Sequence, residues 1–164
     1  MNLAAILQLL HILAGFGLVG GEFGRAFLFR RARQTSDVKT TAELLQMSTF
    51  LSARVVSGAG LVTVILGLIT AWAEGLPILG FLQGGAVNWV LASLVLYAII
   101  MVLVFSVQVP RGKALREILG KALTQGAVTP ELSAALNNSA VNNAFIAQDI
   151  LLVLIVALMV LKPF

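Results

Sequence analysis

The chain has 164 residues, 59% hydrophobic and only 11% charged, with a net charge of +4 and a mean hydropathy of +1.00. Soluble domains run near half apolar and about a quarter charged, so too little polar surface exists here to face water, and lipid is the expected solvent. Cysteine is absent, which excludes disulfides, thiolate metal sites, iron–sulfur clusters and thioether-attached haem.

A helix crossing a hydrocarbon core of about 30 Å needs about 20 apolar residues. Four such runs nearly exhaust the sequence. The first, 3–29, ends at Arg30-Arg31-Ala32-Arg33; the second, 47–72, stops before Glu74-Gly75 and Pro77. The third, 86–109, ends at Pro110-Arg111-Gly112, and the fourth, 140–161, at Lys162-Pro163. Each stop is a charge, Gly or Pro where the backbone must leave the helix. The runs lack the period-2 alternation of an outer-membrane barrel. The expected fold is therefore all-α: a polytopic membrane protein, one membrane domain over 1–164, built as a four-transmembrane-helix bundle. The first run is too long, and its start too poor in basic residues, for a cleavable signal peptide.

The loops set the expected orientation. Arg30, Arg31, Arg33 and Lys39 occupy the first, and Arg111, Lys113, Arg116 and Lys121 the third; the second, 73–85, has no Lys or Arg. By the positive-inside rule, loops 30–46 and 110–139 face the cytoplasm, and both termini lie outside (N-out/C-out). Basic residues gathered this way speak for orientation rather than nucleic-acid binding. Within 111–139, Leu115, Ile118, Leu119, Ala122 and Leu123 recur at helical spacing between Lys113, Arg116, Glu117 and Lys121. This predicts a short amphipathic helix on the cytoplasmic interface. Thr129-Pro130-Glu131 is a helix start with Pro at the first position.

Lipid tails are as apolar as Leu, so close backbone approach and buried polar groups must hold the bundle together. Gly17/Gly21 and Gly20/Gly24 are each GxxxG pairs, and Gly60 and Gly67 share a stripe with Thr63 and Thr70. These faces are expected to pack on each other or on a symmetry mate. Gly15-x-Gly17-x-x-Gly20 matches the dinucleotide fingerprint by letter, but it lies inside an apolar helix rather than after a strand, so packing is its reading.

Ionisable groups in hydrocarbon face a partner, a cavity or a cofactor. At about 1.5 Å per residue, Glu22 and Arg54 both fall about 10 Å inside their spans and Asp149 about 13 Å. This level predicts a buried cluster in which Arg54 pairs with Glu22, Asp149 or both, with Gln46 and Gln148 taking leftover bonds. Arg25 is shallower and is expected to snorkel to the headgroups. A clamp fixing helix order is one reading of the cluster; an ion or proton path is the other.

His11 is the only histidine. Eleven residues before Glu22, it shares that residue's face at 100° per residue. A neutral imidazole there, with Gly15 one turn away, is a candidate axial ligand for haem b, with Met101, Met159, Tyr97, water or a residue from another subunit as second ligand. No Ser–His–Asp set, HExxH motif or phosphate loop occurs, so neither catalytic residues nor a metal site is assigned.

Leu10-His11-Ile12-Leu13 with Gly20-Gly21, and the finish Leu158-Met159-Val160-Leu161-Lys162-Pro163, resemble a bacterial family of predicted integral membrane proteins of unknown function. That family looks distantly similar to copper-resistance-D-like proteins and to the membrane-bound, haem-dependent protoporphyrinogen oxidase. The resemblance implies the inner membrane of a bacterium and a haem link at His11. The chain departs from the oxidase in having no Trp after His11 within the first helix and no Lys or Arg in the third span.

Three functions stay open. The first is a non-catalytic subunit or assembly partner that packs against other membrane subunits or against itself. The second is a b-type haem protein in electron transfer or haem-linked oxidation, through His11. The third is an oligomeric ion or solute carrier using Glu22, Arg54 and Asp149.

Overall fold

The computed structural model describes residues 3–83, 85 and 88–163. Its framework is four long apolar helices, each long enough to cross a membrane. Helix α1 is Leu3–Gln34. Helix α2 is Val38–Ala73, with a π-helical stretch at Leu51–Val56. Helix α3 is Trp89–Gln125, with a π stretch at Val104–Gln108. Helix α4, Pro130–Leu136, is short, and α5 is Ser139–Leu161. A 3-10 turn at Gly80–Gln83 lies between α2 and α3. No strand occurs among the described residues.

Side-chain caps set where most of these helices begin. Asp37 accepts from the Thr40 amide at 2.8 Å, Asn88 from Leu91 at 2.9 Å, Thr129 from Leu132 at 3.1 Å, and Asn138 from Val141 at 3.2 Å. Each satisfies one of the orphan amides of a first turn. Gly126, at φ 70°, closes α3 in the left-handed region that glycine adopts without a Cβ clash.

The helices run past their apolar spans. Arg30, Arg31 and Arg33 ride on the last turns of α1 rather than in a loop, and α2 starts well before the expected 47 because Asp37 caps it. At about 1.5 Å per residue, α1, α2 and α3 are each roughly 48–55 Å long, well beyond a hydrocarbon core of about 30 Å. The excess lies at one end, the basic end. The amphipathic segment expected to lie on the interface instead continues α3 to Gln125. Its apolar side meets α4 and the adjoining ends of α1 and α2. Ala32, Val38, Leu45, Ala122, Leu132 and Leu136 form a buried apolar core there, with Thr41 sealed among the buried groups. An apolar stripe at helical spacing buries itself when a partner stripe is available, and α4 supplies it.

Within the span, α1 packs along α2, and α3 along α5. Gly17, Gly21 and Gly24 form the α1 side of the first contact. A Cβ on Gly21 would sit 3.0 Å from a Val55 methyl, one on Gly24 3.2 Å from Leu51, and one on Gly17 3.5 Å from Ala59. Gly60 and Gly67 answer from α2, receiving Leu18 and the His11 ring. Gly20 is not part of this face: it is exposed, with nothing near its missing Cβ.

Candidate functional site

The two helix pairs meet along α1 and α5, where side chains rather than close backbones make the contacts. Four antiparallel rungs cross this seam. Arg33 donates to the Asn142 amide oxygen at the basic end. Phe29 meets Phe145 edge-on, with ring centroids 5.7 Å apart. Glu22 accepts from Gln148 at 3.0 Å. His11 faces Met159 near the far end, its Nε2 3.5 Å from the thioether sulfur.

Glu22 and Arg25 are the buried charges, at 2% and 4% exposure. They lie one turn apart on α1. Arg25 donates from Nε to Glu22 Oε2 at 3.1 Å and from Nη2 to Oε1, the two-pronged fit of a guanidinium to a carboxylate. The guanidinium lies 4.0 Å from the centre of the Phe145 ring, a cation–π contact that strengthens when water is excluded. Gln148 Nε2 donates to the carboxylate, and Gln148 Oε1 accepts from Gln108 Nε2 at 2.5 Å. Ser48 donates to the Arg25 carbonyl at 3.3 Å. The chain Arg25–Glu22–Gln148–Gln108, with Ser48, thus touches α1, α2, α3 and α5. Gln108 is the last residue of the α3 π stretch. An inserted π turn rotates the downstream part of a helix by about one residue's 100°, which sets the face Gln108 presents.

The expected cluster is assembled differently. Arg54 is exposed, and among the described residues no ion pair or hydrogen bond joins it to Glu22 or Asp149. It sits inside the α2 π stretch, so its face cannot be counted from Met47 at regular pitch. Arg25 does not snorkel; it takes the place assigned to Arg54. Asp149 is half-buried and lies beside the pair rather than in it, lining a crevice of about 230 Å³ with Arg25, Arg30 and Arg33. Gln148 takes up the leftover bonds, while Gln46 is exposed.

His11 Nδ1 lies 2.8 Å from the Thr63 carbonyl oxygen. A carbonyl only accepts, so Nδ1 carries the proton in this contact, and in the neutral ring the approach of Nε2 to the Met159 sulfur is a packing contact, not a hydrogen bond. The ring lies so close to Gly67 that a Cβ there would be 2.8 Å from Cε1. Iron held between imidazole and thioether needs the two donor atoms roughly 4.3 Å apart, from bonds of about 2.0 and 2.3 Å, with a porphyrin plane between them. At 3.5 Å, and with α2 against the ring, His11 and Met159 as packed leave no room for an iron between them. Tyr97 brings its hydroxyl near Gly60 instead. Among the described residues no group of three His, Cys, Asp or Glu is placed to hold a metal ion.

The chain belongs to the family described as predicted integral membrane protein (DUF2269), whose model matches residues 5–163. It is an integral membrane protein and sits in the lipid bilayer. No curated protein and no solved structure matches it.

Proposed function

We propose that this member of the family is a non-catalytic packing subunit of the bacterial inner membrane, with the basic end in the cytoplasm and both termini outside. The observation that carries the reading is the closure of the buried charges on themselves. Glu22 spends its carboxylate on Arg25 and Gln148, and Gln148 spends its carbonyl on Gln108. Between this knot and the His11–Met159 rung, α1 itself offers only apolar residues, among them Leu13, Phe16 and Leu18, so α1 supplies no relay for a proton. Buried polar groups used in this way fix helix register.

One apolar face open to other helices is the outer side of α1. Phe16, Phe23 and Phe27 are 70%, 63% and 68% exposed, and Gly20 between them is open. Association within lipid relies on such close approach at small residues. Because the chain has no cysteine, Gly20→Cys gives a unique thiol for cross-linking in native membranes. The reading predicts an adduct with another membrane polypeptide or a second copy. It fails if that thiol forms no adduct, or if the purified protein shows a Soret band that His11→Ala removes.

A further inference from the structure

We propose that the crevice beside the basic end of the α1–α5 seam binds the phosphodiester of an anionic phospholipid. It is lined by Arg25, Arg30 and Arg33 from α1 and by Asn142, Ile146 and Asp149 from α5, and encloses about 230 Å³. Glu22 already neutralises Arg25, and Asp149 offsets one more charge. One guanidinium is left without a counter-charge, which matches one phosphodiester.

Position within the crevice follows from the seam's register. Asn142 is level with Arg33, since the two are bonded. Asp149 lies seven residues further along α5, about 10 Å deeper. An anion at the mouth therefore meets Arg30, Arg33 and the Asn142 amide at the end of the crevice away from the Asp149 carboxylate. Arg33 has a donor to spare. Its Nη2 is taken by Asn142, and its guanidinium carbon lies 4.8 Å from the Phe29 ring centre, but its Nε is buried with no hydrogen-bond partner. Buried donors are normally satisfied; the Arg33 side chain has to turn toward the mouth for this N–H to meet a phosphate oxygen, and a guanidinium edge then presents paired N–H groups to it.

A lipid, rather than a soluble phosphate, is favoured by what surrounds the mouth. These arginines stand where the apolar run of α1 ends, at headgroup level. Ile146 lines the crevice, and with Ile150 one turn deeper it is more than half exposed, at 57% and 56%. That leaves an apolar track for an acyl chain directly below the charge. Basic pockets between spans at this depth are where anionic headgroups settle.

Native mass spectrometry of the delipidated full chain, titrated with phosphatidylglycerol, phosphatidylcholine or inorganic phosphate, tests this. One phosphatidylglycerol per chain is expected to bind at least tenfold more tightly than phosphatidylcholine. Arg33→Gln, alone or with Arg30→Gln, should reduce that preference at least tenfold, and Arg33→Lys should retain part of it. Arg31→Gln removes the same charge from an exposed residue outside the crevice and should leave binding unchanged. Equal loss in Arg31→Gln and Arg33→Gln, or no discrimination between the two lipids, overturns the proposal. Inorganic phosphate competing at equal concentration overturns the lipid as the source. If Arg33→Gln does not fold, Asn142→Leu gives the same test from α5.

Discussion

Glu22 and Gln148 stand 126 residues apart in sequence, yet Gln148 Nε2 donates to the Glu22 carboxylate at 3.0 Å. The ion pair itself is local, Glu22 to Arg25 across one turn of α1. Gln148 is what makes that local pair a tie between helices, because the carboxylate can be satisfied fully only when α5 is seated. Bonds of this kind in lipid are each worth about 1 kcal/mol or less. The order of the four helices therefore rests on several rungs rather than on one.

The glycines of α1 should separate into two classes. Gly21→Ala places a Cβ 3.0 and 3.1 Å from methyls of Val55 and Val56, both β-branched and stiff at χ1. Overpacking of this sort costs about 1–3 kcal/mol. Gly20→Ala meets nothing within 4 Å and should be neutral or gain up to about 1 kcal/mol from helix propensity. Thermal unfolding of the two variants in the same detergent checks the contrast.

His11 and Gly67 should behave as a coupled pair. A Cβ at residue 67 would lie 2.8 Å from Cε1 and 3.0 Å from Nδ1 of His11, so Gly67→Ala has to displace the ring from the Thr63 carbonyl. The single variant is expected to melt lower than the parent. In a His11→Ala background the same change should cost much less, leaving a coupling energy of about 0.5–3 kcal/mol, as for residues in direct contact. Additive effects would mean that the ring does not lie against α2.

Arg54 should be dispensable for folding. It is exposed at the level of Glu22, where a guanidinium facing lipid is costly, and among the described residues it makes no bond to the buried knot. Arg54→Gln is expected to unfold no earlier than the parent.

The Asp37 cap carries a pH dependence outside the spans. Hydrogen bonds from the Thr40 side chain and amide hold its carboxyl below the ordinary carboxylate value. A depressed folded-state value adds stability above the unfolded value, and this is lost as pH falls through the folded one. Asp37→Asn keeps a capping oxygen without the charge. The first turn of α2 should therefore become independent of pH in the acid range in Asp37→Asn, and fray at all pH values in Asp37→Ala. Amide exchange at Thr40 and Thr41 reads this out.

What can be read from the sequence divides along physical lines. The four spans stand out because hydrocarbon demands long apolar runs, and these residues supply them. The depth of Glu22 is equally legible, but depth alone does not find its partner. Arg25 is three residues away, a spacing that places two side chains on one helix face. Weighing depth without that spacing sends Arg25 to the headgroups and brings in Arg54. Regular pitch then fails in α2, since the π stretch over Leu51–Val56 breaks the count from Met47 and leaves no trace in composition. The core at the basic end is hidden for another reason. Leu115, Ile118 and Leu119 suit a membrane surface as well as a protein partner, and only the seating of Leu132 and Leu136 beside them decides between the two.

Unfolding of Arg25→Leu and of Glu22→Leu/Arg25→Leu in detergent tests the central claim that the buried charges are a tie and not a path. Arg25→Leu strands a buried carboxylate and is expected to cost about 3–5 kcal/mol, whereas Glu22→Leu/Arg25→Leu, which strands no charge, should recover most of that loss. If both variants unfold with the parent, the knot does not hold the bundle together, and a transport role for Glu22 becomes the better account.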